Sequence, residues 1–458
     1  MQSIVYQSIG CSPIFPWVAS NGGGGTVAIG IDPLTNIRGL LAQEPADKGD
    51  VLLEVPLALC LSDFGATTPV ATEPPAFAKD LPWNVQLTCA VLAMPPASEM
   101  AVSWPEAPVL PIFAADQVEQ LACDKELARS AVSEYSWCDE QHVACTAAAD
   151  EHGAVPPPID AFRDAMALVW SRALRIRGPR DTGLRRLLVP ALDLANHAET
   201  PSAIYAFSPT NGGVVRLHAA RRIEAGQAVT INYADDLSSS HFALYYGFVP
   251  HSNAADAVEL PLTTILAGAP APPRDGGDEN AAWTESRLAD AGVEPSQLFK
   301  LHAKAPSLVL LTTLRSLLAG EPVRDPASLT CTGCSGVVAG FGDGEDDALA
   351  ATTLRIVADA AQTEAKRLED AARGDEGGEV ATLLLALRGR RIALLDELVA
   401  SMMMLADRFD AGGGAAASAR VLLECAVMEA EPKPYPIAPR LLEQWCAQAW
   451  DWEKAEYA

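Results

Sequence analysis

Two short stretches hold the side chains best suited to chemistry. Residues 189–197 read VPALDLANH and place a carboxylate, a carboxamide and an imidazole close together at Asp193, Asn196 and His197. Residues 231–250 read INYADDLSSSHFALYYGFVP and add phenols at Tyr233 and Tyr246, with Phe248 directly after Gly247. On residue type alone, Asn-His after an apolar run is a loop or a buried hydrogen-bonded pair. Phe248 by itself reads as a core aromatic. Upstream, Arg172 carries a planar fork that can take a carboxylate through two parallel hydrogen bonds, which a lysine cannot reproduce. The plainer alternative for it is a surface salt bridge.

Short strands must position these groups. Between the two stretches, apolar and polar residues alternate around Asn211-Gly212-Gly213 and Ala225-Gly226, the pattern of strands joined by tight turns. Tyr205 lies in that region, and Tyr233 ends an apolar strand predicted over 228–233. Arg172 falls on a helix predicted over 159–177, with Phe162, Met166, Val169 and Ala173 on one face, Pro156 to Pro158 before it and Gly178-Pro179 after it. Residues 26–31 and 51–62 read as strands, with the turn Asp47-Lys48-Gly49-Asp50 before the second. IRGLLAQE, at 37–44, taken alone is an ordinary β-turn. The glycines of 17–25 neither follow a strand nor open a helix, so they read as a turn and not as a phosphate cradle.

From 63 to 158 the chain turns proline-rich and then helical, with Val118, Leu121, Ala122 and Leu127 near helical spacing and His142 and His152 expected to face solvent. A linker follows at 268–280. Helices are predicted at 350–372, 379–405 and 417–431, with Leu383, Leu387, Ile392, Leu395 and Leu398 in a buried stripe. Gly340, Gly342 and Gly344 imitate a nucleotide loop, but the strands such a loop needs are missing around them, so an acidic loop is expected.

Taken together, Asp193-Leu194, Asn196-His197, Tyr233 and Tyr246-Gly247-Phe248, in that order, resemble the SET-domain protein methyltransferases. The resemblance is to the branch of the ribulose bisphosphate carboxylase and aldolase lysine methyltransferases and the actin-histidine methyltransferases. Arg38, Gly39, Leu40 and Ala42 match that family's opening signature, and Ser171-Arg172 its S-R motif. The resemblance implies an α+β chain: a β-rich SET domain over 12–262 with a helical insertion at about 63–158, then an all-α domain over 263–458 that helps bind a protein substrate. It implies S-adenosylmethionine as cofactor, met by Arg38, Gly39, Leu40, Arg172, Asn196, His197 and Phe248. It makes Tyr233 the catalytic residue and lines the target side-chain channel with Asp193, Tyr205 and Tyr246, a carboxylate near the channel mouth being able to hold a lysine ammonium. The implied acceptor is a lysine of a non-histone protein, with histidine second. Ile37, Ala198, Ser239 and His241 depart from the family pattern and motivate the alternative, a catalytically silent SET-like module that binds a protein partner.

Composition bounds these readings. The chain has 458 residues, is 49% hydrophobic and carries a formal charge of -26. It is long enough for two domains, or for one large domain with an insertion, and apolar enough for a core, which excludes a disordered chain. The charge argues against nucleic-acid binding, which needs clustered Lys and Arg. The ten cysteines are scattered apart from Cys331 and Cys334, so no metal site is expected and reduced thiols fit better. No apolar run is long enough to cross a bilayer, and residues 1–37 lack Lys and Arg, against a secretory signal or an Arg-rich transit peptide. No membrane partner is expected, and the cytosol is the expected compartment, a plastid being the other one left open.

Overall fold

The computed structural model describes residues 12–31, 37–62, 74–104, 125–177, 184–208, 213–234, 237–270, 283–320, 323, 347–372 and 379–430. The chain divides into two compact units, Met1–Ala234 with Ser240–Pro250, and Asp235–Ser239 with His251–Ala458.

The first unit begins with helix α1 (Ile14–Ser20) and strands β1 (Gly24–Gly25), β2 (Val27–Ile31), β3 (Arg38–Ala42), β4 (Val51–Pro56) and β5 (Leu61–Ser62). Helices α2 (Trp83–Ala93), α3 (Glu99–Ser103), α4 (Lys125–Glu151) and α5 (Ile159–Arg172) follow. Strands β6 (Leu174–Arg177), β7 (Leu184–Leu188), β8 (Asn196–His197), β9 (Ala203–Ser208), β10 (Val214–Ala219) and β11 (Ala228–Ile231) lead to helix α6 (Ser239–Tyr246). The strands form three sheets, ordered β1-β4-β10-β9, β2-β3-β11-β8 and β5-β7-β6.

Several expectations change on contact with tertiary structure. The segment that alone reads as a β-turn is β3, an inner strand flanked by β2 and β11; Leu40, Leu41 and Ala42 are buried in succession, as a strand covered on both faces requires. The single strand expected over 51–62 is two, β4 and β5, separated by a short 3-10 turn at Leu57–Leu59 that begins directly after Pro56. The helix expected to reach residue 177 stops at Arg172. Ala173 is extended (φ -70, ψ 115), and β6 pairs with β7 with Leu174 and Ile176 buried. An apolar period of two therefore lay behind a residue, Ala173, that also fitted the helical face. His142 is not solvent-facing: its Nε2 lies 2.8 Å from the Pro157 carbonyl, and its ring meets Phe162 edge-on at 5.3 Å. His152 is exposed as expected.

Leu40, Leu52, Val55, Leu187, Val189, Leu217, Val229 and Ile231 pack into one core beneath the sheets. Each such side chain contributes roughly 1.5–3 kcal/mol relative to exposure, so the strands carrying the site are held by packing more than by their short ladders. A smaller cluster joins α2, α4 and α5 through Val85, Cys89, Cys138, Cys145, Phe162 and Met166.

In the second unit, β12 (Val258–Pro261), helices α7 (Leu262–Ile265) and α8 (Glu285–Asp290), and β13 (Leu298–Leu301) precede the helices α9 (Leu308–Ala319), α10 (Asp347–Ala372), α11 (Glu379–Ala411) and α12 (Gly413–Ala430). Residues 258–262 were expected with the β-rich part; β12 instead pairs antiparallel with β13, which places it in the second unit. Of the expected stripe, Leu383, Leu387, Leu395 and Leu398 are buried and Ile392 is partly so. Asp256 is buried and accepts hydrogen bonds from the Ser239 amide (2.6 Å), the Ser239 hydroxyl (2.8 Å) and Arg390 Nε (2.9 Å), which gives Ser239 a partner at a position where the resembled family has another residue. Residues 113–124, Gly178-Pro179, Asn211-Gly212, most of the linker, Cys331, Cys334 and the glycines at 340–344 lie outside the described residues.

Candidate active site

Strand pairing sets the site's floor. β8 runs parallel to β11, with Asn196 opposite Thr230 and His197 opposite Ile231, while the other edge of β11 pairs with β3. Asn196 therefore reaches across to β3, and its Nδ2 donates to the Arg38 carbonyl at 3.1 Å. A Cβ added to Gly39 would stand 2.4 Å from that same Nδ2, so glycine is required for the carboxamide to lie against the backbone. Leu40 is 1% exposed and its side chain belongs to the core, leaving only its backbone for a ligand.

The turn before β8 is strained. Ala191 has φ 65 and ψ -37, and the Leu192 amide donates to the Pro190 carbonyl at 2.8 Å, a γ-turn of the uncommon hand. The 3-10 turn that follows, Leu192–Leu194, sets the carbonyls of Asp193 and Ala195 toward two side chains that matter. Arg172 Nη1 donates to the Asp193 carbonyl at 2.8 Å, and the Tyr233 hydroxyl donates to the Ala195 carbonyl at 2.9 Å.

Tyr233 lies two residues past the end of β11 rather than within it. Its amide donates to His197 Nδ1 at 3.2 Å, across a sequence separation of 36. Since Nδ1 accepts, the neutral imidazole carries its proton on Nε2. Burial lowers the His197 pKa, against a smaller opposing pull from Glu199. Burial also pushes the Tyr233 phenol up to about 12, with Asp193 adding to the shift and Arg172 opposing it. Around Tyr233 stand the rings of Tyr246 at 4.8 Å, His197 at 5.4 Å and Phe248 at 6.4 Å. Phe242 closes the group, 4.7 Å from His197 and 5.4 Å from Tyr246. Tyr246 is likewise held as a neutral phenol, chiefly by burial and then by the neighbouring Tyr233 and Tyr205. Tyr205, on β9, approaches the Arg175 carbonyl with its hydroxyl at 3.4 Å.

A charged group lies beside this aromatic one. The Asp193 side chain has 0% exposure, and its Oδ2 accepts from Trp104 Nε1 at 2.7 Å and stands 3.8 Å from Arg172 Nη1. The Asp193 carboxylate is thus enclosed, with Oδ2 engaged by protein groups. Burial raises its pKa, while Arg172, the Trp104 N–H, its own backbone amide and Arg38 all favour the charged form. Arg38 reaches the Ser103 carbonyl through Nη2 at 3.0 Å, and its pKa is lowered by burial and by Arg172. Arg172 Nε and Asp193 Oδ1 are buried without a hydrogen-bond partner. Two guanidiniums around one carboxylate leave a positive excess, which suits the carboxylate of a ligand.

The sequence reading did not find Ser103 and Trp104. A tryptophan followed by proline in an aperiodic stretch gives no signal of a partner 89 residues away. Phe242 stood in plain view, next to a departure from the family pattern.

No family model matches the chain. Among curated proteins, SET domain-containing protein 8 of Schizosaccharomyces pombe is 34% identical over 64 residues, which span 14% of this chain and 14% of that protein. Among solved structures, the SET domain of LSMT bound to lysine and AdoHcy superposes with a TM-score of 0.52 at 17% identity, covering 87% of this chain and 92% of that one. Rubisco LSMT bound to sinefungin and monomethyllysine gives a TM-score of 0.53 at 17% identity, over 88% of this chain and 94% of that one. Rubisco LSMT bound to AdoMet gives the same figures. At that identity the likeness is one of fold: the chain has the mixed α+β fold of the SET domain of LSMT, followed by a helical C-terminal region.

Proposed function

We propose that this protein is an S-adenosylmethionine-dependent protein methyltransferase acting on a lysine side chain of a non-histone protein, with histidine as second choice, in the cytosol. The observation that supports this most is the convergence at Tyr233. Its hydroxyl is anchored to the Ala195 carbonyl and its amide to His197, inside a cluster of uncharged rings. The solved neighbours bound to AdoMet and to lysine support the choice of cofactor and acceptor.

The residues present fit the cofactor. A carboxylate would be taken by Arg172 and Arg38, where positive charge is in excess and Arg172 Nε lacks a partner. An adenosyl group would lie along the backbone of 38–40 and against Asn196, where Gly39 leaves no side chain in the way, with His197 and Phe248 beside it. When bound, S-adenosylmethionine supplies a methyl group made electrophilic by its sulfonium.

Alignment and desolvation are what the chain itself must provide. The attacking nitrogen has to arrive with a free lone pair, and burial among Tyr246, Tyr205 and Tyr233 disfavours the ammonium form. Tyr233 is a neutral phenol well above physiological pH, and its proton is given to Ala195. Its oxygen lone pairs are therefore free to accept an N–H of the incoming amine, which turns the nitrogen lone pair outward. The helical C-terminal domain, 263–458, binds the protein substrate.

Calorimetric titration with S-adenosylmethionine tests the reading: a saturable heat is expected, and its absence in the wild-type protein counts against the assignment. Mass spectrometry of a lysate treated with the protein and isotopically labelled cofactor identifies the acceptor. Label on lysine supports the first choice and label on histidine the second. A silent binding module, motivated by the departures at Ile37, Ala198, Ser239 and His241, is excluded once Tyr233→Phe removes a methyl transfer seen with the wild type.

A further inference from the structure

Trp104 and Ser103 come from the end of α3, far in sequence from the residues they hold. Ser103 is 1% and Trp104 9% exposed, and together they engage two members of the charged group: the Ser103 carbonyl takes Arg38 Nη2 and the Trp104 indole takes Asp193 Oδ2. Arg172 meets the same Asp193 through its carbonyl at 2.8 Å and its Oδ2 at 3.8 Å. Arg172 stands close enough to Arg38 to lower its pKa, so without a fixed counter-charge the two like charges repel.

We infer that Trp104 is a positioning residue for the anion end of the cofactor site: its indole N–H fixes the Asp193 carboxylate, which in turn fixes where Arg38 and Arg172 present their positive charge. The inference rests on the methyltransferase reading and adds to it a residue that touches neither cofactor nor substrate. The ligand chemistry is that of an amino-acid carboxylate. Oδ2 is the oxygen nearer Arg172, and the indole occupies it, which sets the rotation of the carboxylate. Oδ1 and Arg172 Nε remain without protein partners, so the chain does not close this polar balance by itself. An aromatic that only filled space would make the same apolar contacts and would not set that rotation.

The groups facing Asp193 are Arg172 from α5, Arg38 from β3, the Trp104 N–H, Cys60 before β5 and Tyr233 after β11. Among them the indole and the two guanidiniums favour the carboxylate over the acid. Removing the N–H lets Asp193 take a proton at higher pH.

The test uses the full chain and two nucleosides: S-adenosylhomocysteine, which has the amino-acid carboxylate, and 5′-methylthioadenosine, which lacks it. Their affinities are measured by calorimetry for the wild type, for Trp104→Phe, and for the protein with Trp104 replaced by its benzothienyl isostere. The isostere keeps the shape and loses only the donor, which covers the case in which Trp104→Phe fails to fold. Losing a hydrogen bond to a charged group is expected to weaken S-adenosylhomocysteine about tenfold or more. Methylthioadenosine is expected to bind as before, and the weakening is expected to deepen as pH falls. Equal weakening of both nucleosides, or none of either, overturns the inference. A wild type that binds neither nucleoside overturns the methyltransferase reading and this inference with it, whereas a wild type that binds both and an isostere that matches it overturns this inference alone.

Discussion

The site has an aromatic side and a charged side, and burial, which favours the neutral form on both, has opposite consequences for them. Around Tyr233, His197 and Tyr246, burial holds every titratable group in its neutral form, which is what a passage for an uncharged nitrogen needs. Around Asp193, burial works against the charge, and Arg172, Trp104, its own backbone amide and Arg38 keep it. The aromatic side is thus stable by default and the charged side only by mutual support. A lesion should therefore stay local in the first and spread in the second.

Asp193→Ala is the most severe way to break that contrast. It leaves Arg172 partly buried beside Arg38 with no counter-charge, and loss of one partner from a buried pair costs about 3–5 kcal/mol. Denaturant unfolding reads it as a loss of stability of that order; a loss below about 1 kcal/mol would mean that the pair is less enclosed than its geometry suggests. Tyr233→Phe should fall mainly on rate. Methyl transfer drops roughly a hundredfold, while S-adenosylhomocysteine affinity stays within about threefold. Equal losses in rate and affinity would place Tyr233 among the cofactor's own contacts.

Gly39→Ala drives a methyl group into Asn196 Nδ2. The carboxamide must rotate off the Arg38 carbonyl, at a cost of about 1–3 kcal/mol read as a lower denaturation midpoint and weaker cofactor binding. Unchanged binding would remove Asn196 from the cofactor site.

The smallest effect sharpens the contrast by its sign. The folded-state pKa of His197 lies below the ordinary histidine value of 6.5, so its neutral form stabilises the fold fully above that value, and stability is lost as pH falls through the folded pKa. Asp193, raised above the ordinary carboxylate value of 3.8, runs the other way: its burial penalty is relieved as pH falls. His197→Gln should flatten the loss of stability below neutral pH, followed by denaturant melts at several pH values. His218, also lowered by burial, adds a slope of the same sign.

What the sequence reveals of this arrangement depends on how local each signal is. Asn196-His197 and Tyr246-Gly247-Phe248 are short words that fold nearly where they are written, and the structure sets His197, Tyr233, Tyr246 and Phe248 within ring contact. The C-terminal helices have long apolar periods, so α10, α11 and α12 are legible almost to their ends. The switch from α5 to β6 is hidden because Ala173 continues the helical face directly before Leu174 and Ile176 begin to alternate. Trp104 is hidden for a different reason. A hydrogen bond between an indole and a carboxylate has no periodicity at all, and the two residues meet only after the intervening elements have packed.

The γ-turn at Ala191 carries a consequence for anyone who recombines such proteins. Holding a non-glycine residue in that backbone region costs of order 1–3 kcal/mol, and it persists only where neighbours over-determine it. Here Pro190, Ala191 and Leu192 are all buried. A chimera whose junction falls among these three would inherit the contortion without the surroundings that enforce it, and the carbonyls of Asp193 and Ala195 would relax out of aim. Safe crossover points lie outside Val189 and His197, with the whole stretch grafted as one piece.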